Sequence, residues 1–294
     1  MNPARLSCPA PAKLNLFLHV TGRRADGYHS LQTLFRFIDL HDTLHFDLRT
    51  DGVVRRTNAV EGVEEDQDLC VRAARLLQSE TGCRLGAGIG VEKRIPMGGG
   101  LGGGSSDAAT TLLALNRLWS LGLSRERLMR LGLQLGADVP VFVFGENAFA
   151  EGVGEKLQAF PLPATWYVVL FPRVHVPTAK VFTHPELTRD SVSITMRALS
   201  IGQLGNVADL SGARLRNDLQ SVVCELYPEV ARHIALLGKY GAAAMTGSGA
   251  CVFAGFAARD AAQVALRELQ DLFEVRGVVA QGLMTHPLHD WVCE

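Results

Sequence analysis

The chain has 294 residues, of which 47% are hydrophobic and 20% are charged, as in an ordinary globular protein without long disordered tails. This length predicts one large domain or two medium ones. A formal net charge of −1 leaves no overall basic excess, which argues against a nucleic-acid-binding protein.

The cysteines and histidines form no pattern that is typical of a functional cluster. The chain has six cysteines and nine histidines without a C-x-x-C pair, which predicts free thiols and no metal site built from cysteine and histidine. Prolines interrupt the N-terminal segment where a signal peptide is apolar, and apolar runs such as 166–171 are too short to cross a bilayer. We therefore expect a cytoplasmic monomer or homodimer with no nucleic-acid or membrane partner.

The first part of the chain predicts strands and a helix in alternation. Residues 13–21 and 43–50 alternate polar and apolar side chains, which indicates half-buried strands. Residues 68–80 place apolar side chains on one helical face. Residues 88–96 form another predicted strand, and the glycine-rich segment 96–106 follows it.

Two capped helices are predicted after the glycine-rich segment. Ser105 or Ser106 is the expected N-cap of the first helix, whose apolar residues recur at helical spacing over 108–119. Ser124 is the expected cap of a second helix, which Gly136 ends.

The second half of the chain begins with a predicted linker at 161–165 and a short buried strand. Residues 217–239 predict one long helix with a bend at its proline, and residues 261–273 predict another helix. A glycine turn with a strand separates the two helices, and a last strand follows. This mixture predicts an α+β fold with two domains, residues 1–160 and 161–294.

The order strand, glycine-rich segment, helix predicts a phosphate-binding loop at residues 96–106, PMGGGLGGGSS, here called the glycine loop. Backbone N–H groups at a helix N-terminus have no partner within the helix, and the helix dipole adds positive potential there. Glycines let the backbone approach a phosphate closely. A surface linker rarely stands between a strand and a capped helix.

Two familiar phosphate loops fit the glycine loop less well. Gly98, Gly100 and Gly103 match G-x-G-x-x-G, but the strand and the acidic residue that a dinucleotide fold needs after its helix are missing. A Walker loop ends in G-K-[S/T], whereas this loop ends in G-S-S. Phosphate charge must therefore be met by the helix dipole, Mg²⁺ and a basic residue from elsewhere.

Three motifs in order resemble the superfamily of galactokinase, homoserine kinase, mevalonate kinase and phosphomevalonate kinase. They are PAKLNL at 11–16, the glycine loop, and MTGSGACVFA at 245–254. The resemblance implies a two-domain small-molecule kinase that binds ATP on the glycine loop, in a cleft between the domains. The third motif is expected to pack against that loop.

The resemblance also implies which residues contact ATP. They include the whole glycine loop and two residues of the adenine pocket: Pro96, Met97, Gly98, Gly99, Gly100, Leu101, Gly102, Gly103, Gly104, Ser105, Ser106, Leu69 and Lys93. The family commonly has Asn where this chain has Asp68, and a carboxylate cannot donate the hydrogen bonds of an amide. We expect Mg²⁺ to be held mainly by ATP and water, with an oxygen from Ser105 or Ser106. Asp107 is interpreted as a first-turn carboxylate.

Three further segments indicate the acceptor. PAKLNLFLHVTGRRADGYHSLQTLF, LGADVPVFVFG and AFAEGVGE together resemble the family of 4-diphosphocytidyl-2-C-methyl-D-erythritol kinases, over residues 9–289. That family uses ATP to phosphorylate the 2-hydroxyl of 4-diphosphocytidyl-2-C-methyl-D-erythritol in the non-mevalonate isoprenoid pathway. The resemblance implies the same small-molecule substrate here.

Asp138 and Lys13 match the catalytic residues of the family. A carboxylate within reach of the acceptor hydroxyl suits a general base, although a lone Asp in a G-A-D-V-P turn is equally explained by turn chemistry. The matching lysine of the family stabilises the charge on the transferring phosphoryl group. Asn15 shares a strand face with Lys13 and is expected to orient the acceptor.

The resemblance places the cytosine of the acceptor between Tyr28 and Phe182, with His29 reading its edge. An aromatic ring can stack on a base, and an imidazole can hydrogen-bond to it. Acceptor contacts are also expected from four residues of the third motif: Thr246, Gly247, Ser248 and Gly249.

Three other functions stay open from the sequence. A homoserine or mevalonate kinase of the same superfamily would differ in its acceptor. A non-catalytic nucleotide-binding relative would typically lack Lys13 or Asp138, and both are present. A dinucleotide-dependent oxidoreductase is disfavoured by the missing strand after the loop helix.

Overall fold

A computed structural model describes residues 5–196 and 216–292. Its first feature is a long antiparallel hairpin of β1 (Arg5–Arg23) and β2 (His29–Arg49). The two strands predicted at 13–21 and 43–50 are thus parts of much longer ones. Residues 32–38 are buried on both faces, so the alternation that reveals a half-buried strand is missing there.

The hairpin is the centre of the first sheet. The other strands are β3 (Val54–Arg56), β4 (Gly86–Glu92), β5 (Ala148–Glu151) and β6 (Lys156–Ala159). The order is β3-β4-β2-β5-β6, and β1 pairs with the other edge of β2. Strands β4 and β5 pair with different stretches of β2 and share one of its edges. Strand β1 occupies the other edge along most of its length.

Four helices share an apolar core with the first sheet. They are α1 (Leu69–Thr81), α2 (Gly103–Leu118), α3 (Arg125–Leu135) and α4 (Val139–Phe144). Ser124 caps α3 by accepting from Arg127 N, and Gly136 ends it, which confirms both predictions. Most of α2 is buried in the core between this sheet and the other helices, whereas residues 103–105 at its start are not.

The second sheet has the order β10-β7-β9-β8. Its elements, with the helices around them, are β7 (Trp166–Leu170), α5 (Thr178–Phe182), α6 (Gln220–Leu226), α7 (Pro228–Leu237), β8 (Ala243–Met245), β9 (Val252–Phe256), α8 (Arg259–Phe273) and β10 (Gly277–Gln281). The prediction of one long helix over 217–239 is wrong, because Pro228 starts a separate helix. Tyr227 before it is non-helical at φ −135° and ψ 80°, as expected of a residue that precedes proline.

The two sheets share an apolar core. Phe17 and Phe149 of the first sheet pack in one cluster with Tyr167 and Phe253 of the second. The predicted linker is anchored as well, since the buried Arg36 side chain donates to the carbonyls of Leu162 and Pro163. A domain boundary near residue 160 therefore stays a prediction. Among the described residues, no helix has the length and apolar character that crossing a bilayer requires.

Candidate active site

A cleft of about 630 Å³ lies where the two sheets meet. Residues 96–105 of the glycine loop line it, together with Lys13, Asp138 and Phe182. Ser106 does not line the cleft, since its side chain is fully buried. Residues that are distant in the chain thus surround one cavity of the size that small-molecule sites have.

Helix α2 begins inside the glycine loop. Gly102 is its N-cap, with a left-handed φ of 73° and no side chain to cap the helix. The prediction that Ser105 or Ser106 is the N-cap is wrong, because the helix has already started when the chain reaches them. An end without a side-chain cap leaves first-turn N–H groups available to an anion.

The third motif packs against the glycine loop, as the resemblance implies. Cys251 N donates to Gly99 O at 3.1 Å, and Thr246 Oγ1 donates to Gly100 O at 3.4 Å. Gly100 has a φ of 75°, and a Cβ there would lie 2.2 Å from Thr246 O. Only glycine fits this contact.

Lys13 and Asp138 meet in the cleft. Lys13 Nζ lies 3.3 Å from Asp138 Oδ2, and its side chain is only 3% exposed. The same ammonium donates to Asn15 Oδ1 at 2.5 Å and to Gly100 O at 3.1 Å. Asp138 precedes α4 without capping it, so its carboxylate, whose side chain is 37% exposed, faces solvent and the ammonium. The ammonium of Lys13 is thus buried, whereas the carboxylate of Asp138 is accessible to solvent.

Asn15 connects this pair to the third motif. Its N–H donates to Thr246 Oγ1 at 2.9 Å, and its Nδ2 donates to Thr33 Oγ1 at 2.9 Å. Thr33 was missed by the sequence reasoning, because a threonine inside a strand carries no local signal. These bonds fix the Asn15 amide, so its oxygen is held toward Lys13.

Gly247 and Ser248 line the cleft, whereas Thr246 and Gly249 lie behind it. Asn217, also missed from the sequence, holds this turn by donating through Nδ2 to the carbonyls of Met245 and Gly247. The third motif is therefore held from both sides.

Leu69 and Lys93 line the other end of the cleft. Lys93 Nζ donates to Asp42 Oδ2 at 2.5 Å and to Asp107 Oδ2 at 2.7 Å. Burial favours a lower pKa for Lys93, but the carboxylates of Asp107 and Asp42 outweigh it and raise that pKa. Since Asp42 Oδ1 also accepts from Ile95 N at 2.9 Å, this cluster ties both ends of the glycine loop together.

The interpretation of Asp107 as a first-turn carboxylate is wrong. Because α2 starts at Gly103, Asp107 lies beyond its first turn and is buried. Burial raises the pKa of Asp107 to about 7, against the lowering effect of Lys93. Its Oδ1 has no hydrogen-bond partner among the described residues.

Asp68 is occupied by its own surroundings. Its Oδ1 accepts from Cys70 N at 2.8 Å, which caps α1, and its Oδ2 accepts from Arg56 Nη1 at 3.2 Å. The side chain is nearly buried at the edge of the cleft. Its carboxylate therefore has a structural role that does not depend on a nucleotide.

The predicted cytosine residues lie at the opposite end from Lys93. Phe182 lines the cleft, and its ring centroid is 5.2 Å from that of His29, with the planes tilted by 32°. Tyr28 is 64% exposed, and neither Tyr28 nor His29 is among the residues that line the cleft. The structure thus brings His29 and Phe182 together and leaves Tyr28 exposed.

Arg189, which the sequence did not mark, contacts His29. Its Nε donates to His29 Nε2 at 3.3 Å. Burial, followed by the positive charges of Arg189 and Arg23, lowers the pKa of His29. The imidazole is therefore neutral at pH 7.

Comparison with known proteins identifies the fold and the family. Residues 68–146 match the model of the GHMP kinases N terminal domain, and residues 195–275 match that of the GHMP kinases C terminal domain.

Two curated relatives are named 4-diphosphocytidyl-2-C-methyl-D-erythritol kinase. The one from Nitrosospira multiformis is 61% identical over 98% of this chain and 95% of its own length. The one from Thiobacillus denitrificans is 59% identical over 97% of this chain and 98% of its own length. A crystal structure of 4-(cytidine 5'-diphospho)-2C-methyl-D-erythritol kinase superposes with a TM-score of 0.80 at 34% identity, covering 94% of this chain and 99% of that one. The chain therefore belongs to the 4-diphosphocytidyl-2-C-methyl-D-erythritol kinase family of GHMP kinases.

Proposed function

We propose that this kinase transfers the γ-phosphoryl group of ATP to the 2-hydroxyl of 4-diphosphocytidyl-2-C-methyl-D-erythritol, a step of the non-mevalonate isoprenoid pathway. The observation that carries the proposal is the Lys13–Asp138 pair, 3.3 Å apart, in the same cleft as the glycine loop. A general base and a phosphate cradle are the two parts that phosphoryl transfer to an alcohol needs. The names of the relatives at 59% and 61% identity support the choice of acceptor.

ATP binds with its phosphates on the glycine loop. The uncapped start of α2 offers N–H groups and the positive end of the helix dipole. Leu69 provides an apolar wall for the adenine. Lys93 acts indirectly, because its ammonium is held by Asp42 and Asp107 and keeps the ends of the loop in place.

The described residues contain no group of three His, Cys, Asp or Glu side chains that could hold a metal ion. They fit a Mg²⁺ that takes most of its oxygens from ATP and water, with the Ser105 hydroxyl as a protein ligand, since Ser105 lines the cleft and Ser106 does not. When bound, Mg²⁺ offsets the negative charge of the phosphates.

Asp138 accepts the proton of the acceptor hydroxyl as that oxygen attacks the γ-phosphorus. The solvent-facing side of its carboxylate is the side available to a substrate. The positive charge of Lys13 offsets the negative charge that accumulates on the transferring group. Asn15, fixed by Thr246 and Thr33, orients the acceptor beside them, and Ser248 and Gly247 close the cleft over it.

The cytidine end of the acceptor lies beside Phe182 and His29. Tyr28 is exposed and closes over the outer face of the cytosine when the acceptor binds, so that the base lies between Tyr28 and Phe182. Stacking and a hydrogen bond from His29 together select a pyrimidine nucleotide.

An ATP-consumption assay tests the proposal. The purified enzyme is given ATP and Mg²⁺ with the cytidylated substrate, with its uncytidylated parent, with homoserine or with mevalonate. We expect turnover on the cytidylated compound and turnover lower by about 100-fold or more on the other three. Equal activity on the uncytidylated parent would refute the cytosine site, and preference for homoserine or mevalonate would refute the proposed acceptor.

A further inference from the structure

The guanidinium of Arg189 is held in one orientation by its hydrogen bonds. Nη2 donates to Phe182 O at 3.0 Å and to His184 O at 2.7 Å, and Nη1 donates to Leu187 O at 3.0 Å. Nε donates to His29 Nε2 at 3.3 Å. All three nitrogens of the guanidinium are hydrogen-bonded, so the planar group cannot rotate without losing several bonds at once.

The contact with His29 determines where the proton of that ring lies. An arginine side chain has five N–H donors and no acceptor, and it does not lose its charge in proteins. His29 Nε2 must therefore accept the bond, so the neutral imidazole carries its hydrogen on Nδ1. The ring then has one donor, Nδ1–H, to offer to a ligand.

A lone Nδ1–H donor suits the base expected at this site. Cytosine has acceptors at O2 and N3 on the edge where its donor is the 4-amino group. A histidine of the other tautomer would present an acceptor at Nδ1 to those atoms. The tautomer thus decides whether His29 attracts or repels this edge of the base.

The same guanidinium also positions Phe182. Its bond to Phe182 O is at the end of α5, so Arg189 joins the backbone of one cytosine-side residue to the ring of the other. The 5.2 Å separation of the two rings is therefore maintained by Arg189 as well as by their own contact.

We propose that Arg189 is a positioning residue for acceptor recognition, which holds His29 as the Nδ1–H tautomer and fixes it relative to Phe182. This inference rests on the proposed function for the identity of the ligand, but the tautomer is a property of the unliganded enzyme. Arg189 acts through these two residues rather than by touching the reacting atoms.

The test has a spectroscopic arm that does not depend on turnover. Long-range ¹H–¹⁵N correlation spectra of ¹⁵N-histidine-labelled enzyme report which ring nitrogen is protonated, and a His29→Gln sample assigns the signal. We expect a protonated Nδ1 and a bare Nε2 at pH 7.5 in the wild type, and a population with protonated Nε2 in Arg189→Gln. A wild-type ring protonated at Nε2 would overturn the proposal by itself, even if Arg189→Gln does not fold.

The kinetic arm separates positioning from general damage. Arg189→Gln should raise KM for the cytidylated acceptor by about 10- to 100-fold, with kcat and KM for ATP within about twofold of wild type. Arg189→Lys keeps the charge but loses the fork, and should show a smaller rise. Arg173→Gln, an exposed arginine outside the cleft, is the matched control and should change nothing. An unchanged acceptor KM in Arg189→Gln, or an equal loss in all three parameters, would refute the positioning role.

The two arms also distinguish this inference from the proposed function. If the wild type shows the Nδ1–H tautomer and turns over another acceptor, the proposed substrate fails. The role of Arg189 is then judged by the KM for that other acceptor.

Discussion

The two ends of the cleft are built in different ways. At the proposed phosphate end, the lining comes from one contiguous loop and from Lys13, whose side chain is 3% exposed. At the proposed acceptor end, the candidate contacts are side chains of separate segments, and one of them, Tyr28, is 64% exposed.

The difference follows from the ligands. A phosphate is the same in every ATP and is satisfied by N–H groups and positive potential, which backbone and a helix terminus supply. A nucleobase is distinguished by its edge and its face, which need particular side chains. Changes at the phosphate end should therefore affect kcat or stability, and changes at the acceptor end should affect the acceptor KM.

The largest expected effect is that of Asp138→Asn, which keeps the shape of the side chain and removes the base. We expect kcat to fall by about 10²- to 10⁴-fold, with little change in either KM. Steady-state kinetics check this, and Asp271→Asn, an exposed carboxylate on α8, is the control. Near wild-type turnover in Asp138→Asn would show that Asp138 is not the general base.

Gly100→Ala should produce the next largest effect, on stability. The new Cβ would meet Thr246 O at 2.2 Å, and the residue would keep a φ of 75°, so we expect the free energy of unfolding to fall by about 2–4 kcal/mol. Chemical denaturation of the unliganded enzyme measures it.

Gly104→Ala is the matched control in the same loop. Its Cβ would meet only Leu69 Cδ1, at 3.5 Å, without a positive φ, so stability should change little. Equal losses in the two variants would show that the contact with the third motif is not what restricts the loop.

Phe182→Ala should have a smaller effect, confined to the acceptor. Loss of one stacking surface costs about 1–3 kcal/mol, which corresponds to a rise in acceptor KM of about 5- to 150-fold with KM for ATP unchanged. Phe273→Ala, which is partly buried against the same apolar cluster, controls for the loss of packing. A similar acceptor KM in both variants would argue against stacking at Phe182.

The smallest expected effect concerns pH. His29 has a pKa below the ordinary value of about 6.5, because of burial and then Arg189 and Arg23. The neutral ring is present above the lowered pKa and is lost only as pH falls through it. The acceptor KM should therefore change by less than about twofold between pH 8 and 6.5.

The Arg189→Gln variant sharpens this pH prediction. Without the guanidinium, the pKa of His29 should move back toward its ordinary value, and the acceptor KM should rise at a higher pH than in the wild type. A wild-type KM that already doubles near pH 6.5 would contradict the assignment of a neutral His29.

Most strands and helices could be predicted, and the failures have physical causes. The helix over 217–239 is two helices, because a proline ends one and starts the next. Ser105 and Ser106 suggested a cap, but the preceding glycines can adopt the left-handed conformation that starts α2 earlier. The predicted strand at 43–50 is shorter than β2, because the alternation that marks a half-buried strand is missing where both faces of β2 are buried.

By itself, the sequence determined the family and predicted the phosphate loop and the catalytic pair. Lys13, the glycine loop and Asp138 each stand in a contiguous motif, and the backbone of a short glycine-rich segment needs little more than its own residues to bind a phosphate. Their roles as site residues remain predictions that the cleft supports.

Only the tertiary structure decided how the site is supported. His29 and Arg189 are 160 positions apart in the chain, and no local pattern marks an arginine that donates to a distant imidazole. No sequence pattern marks Thr33, Asn217 or the partners of Lys93 either. The direction of a buried hydrogen bond depends on which groups the fold brings within about 3 Å, and that is settled by packing rather than by neighbours in the chain.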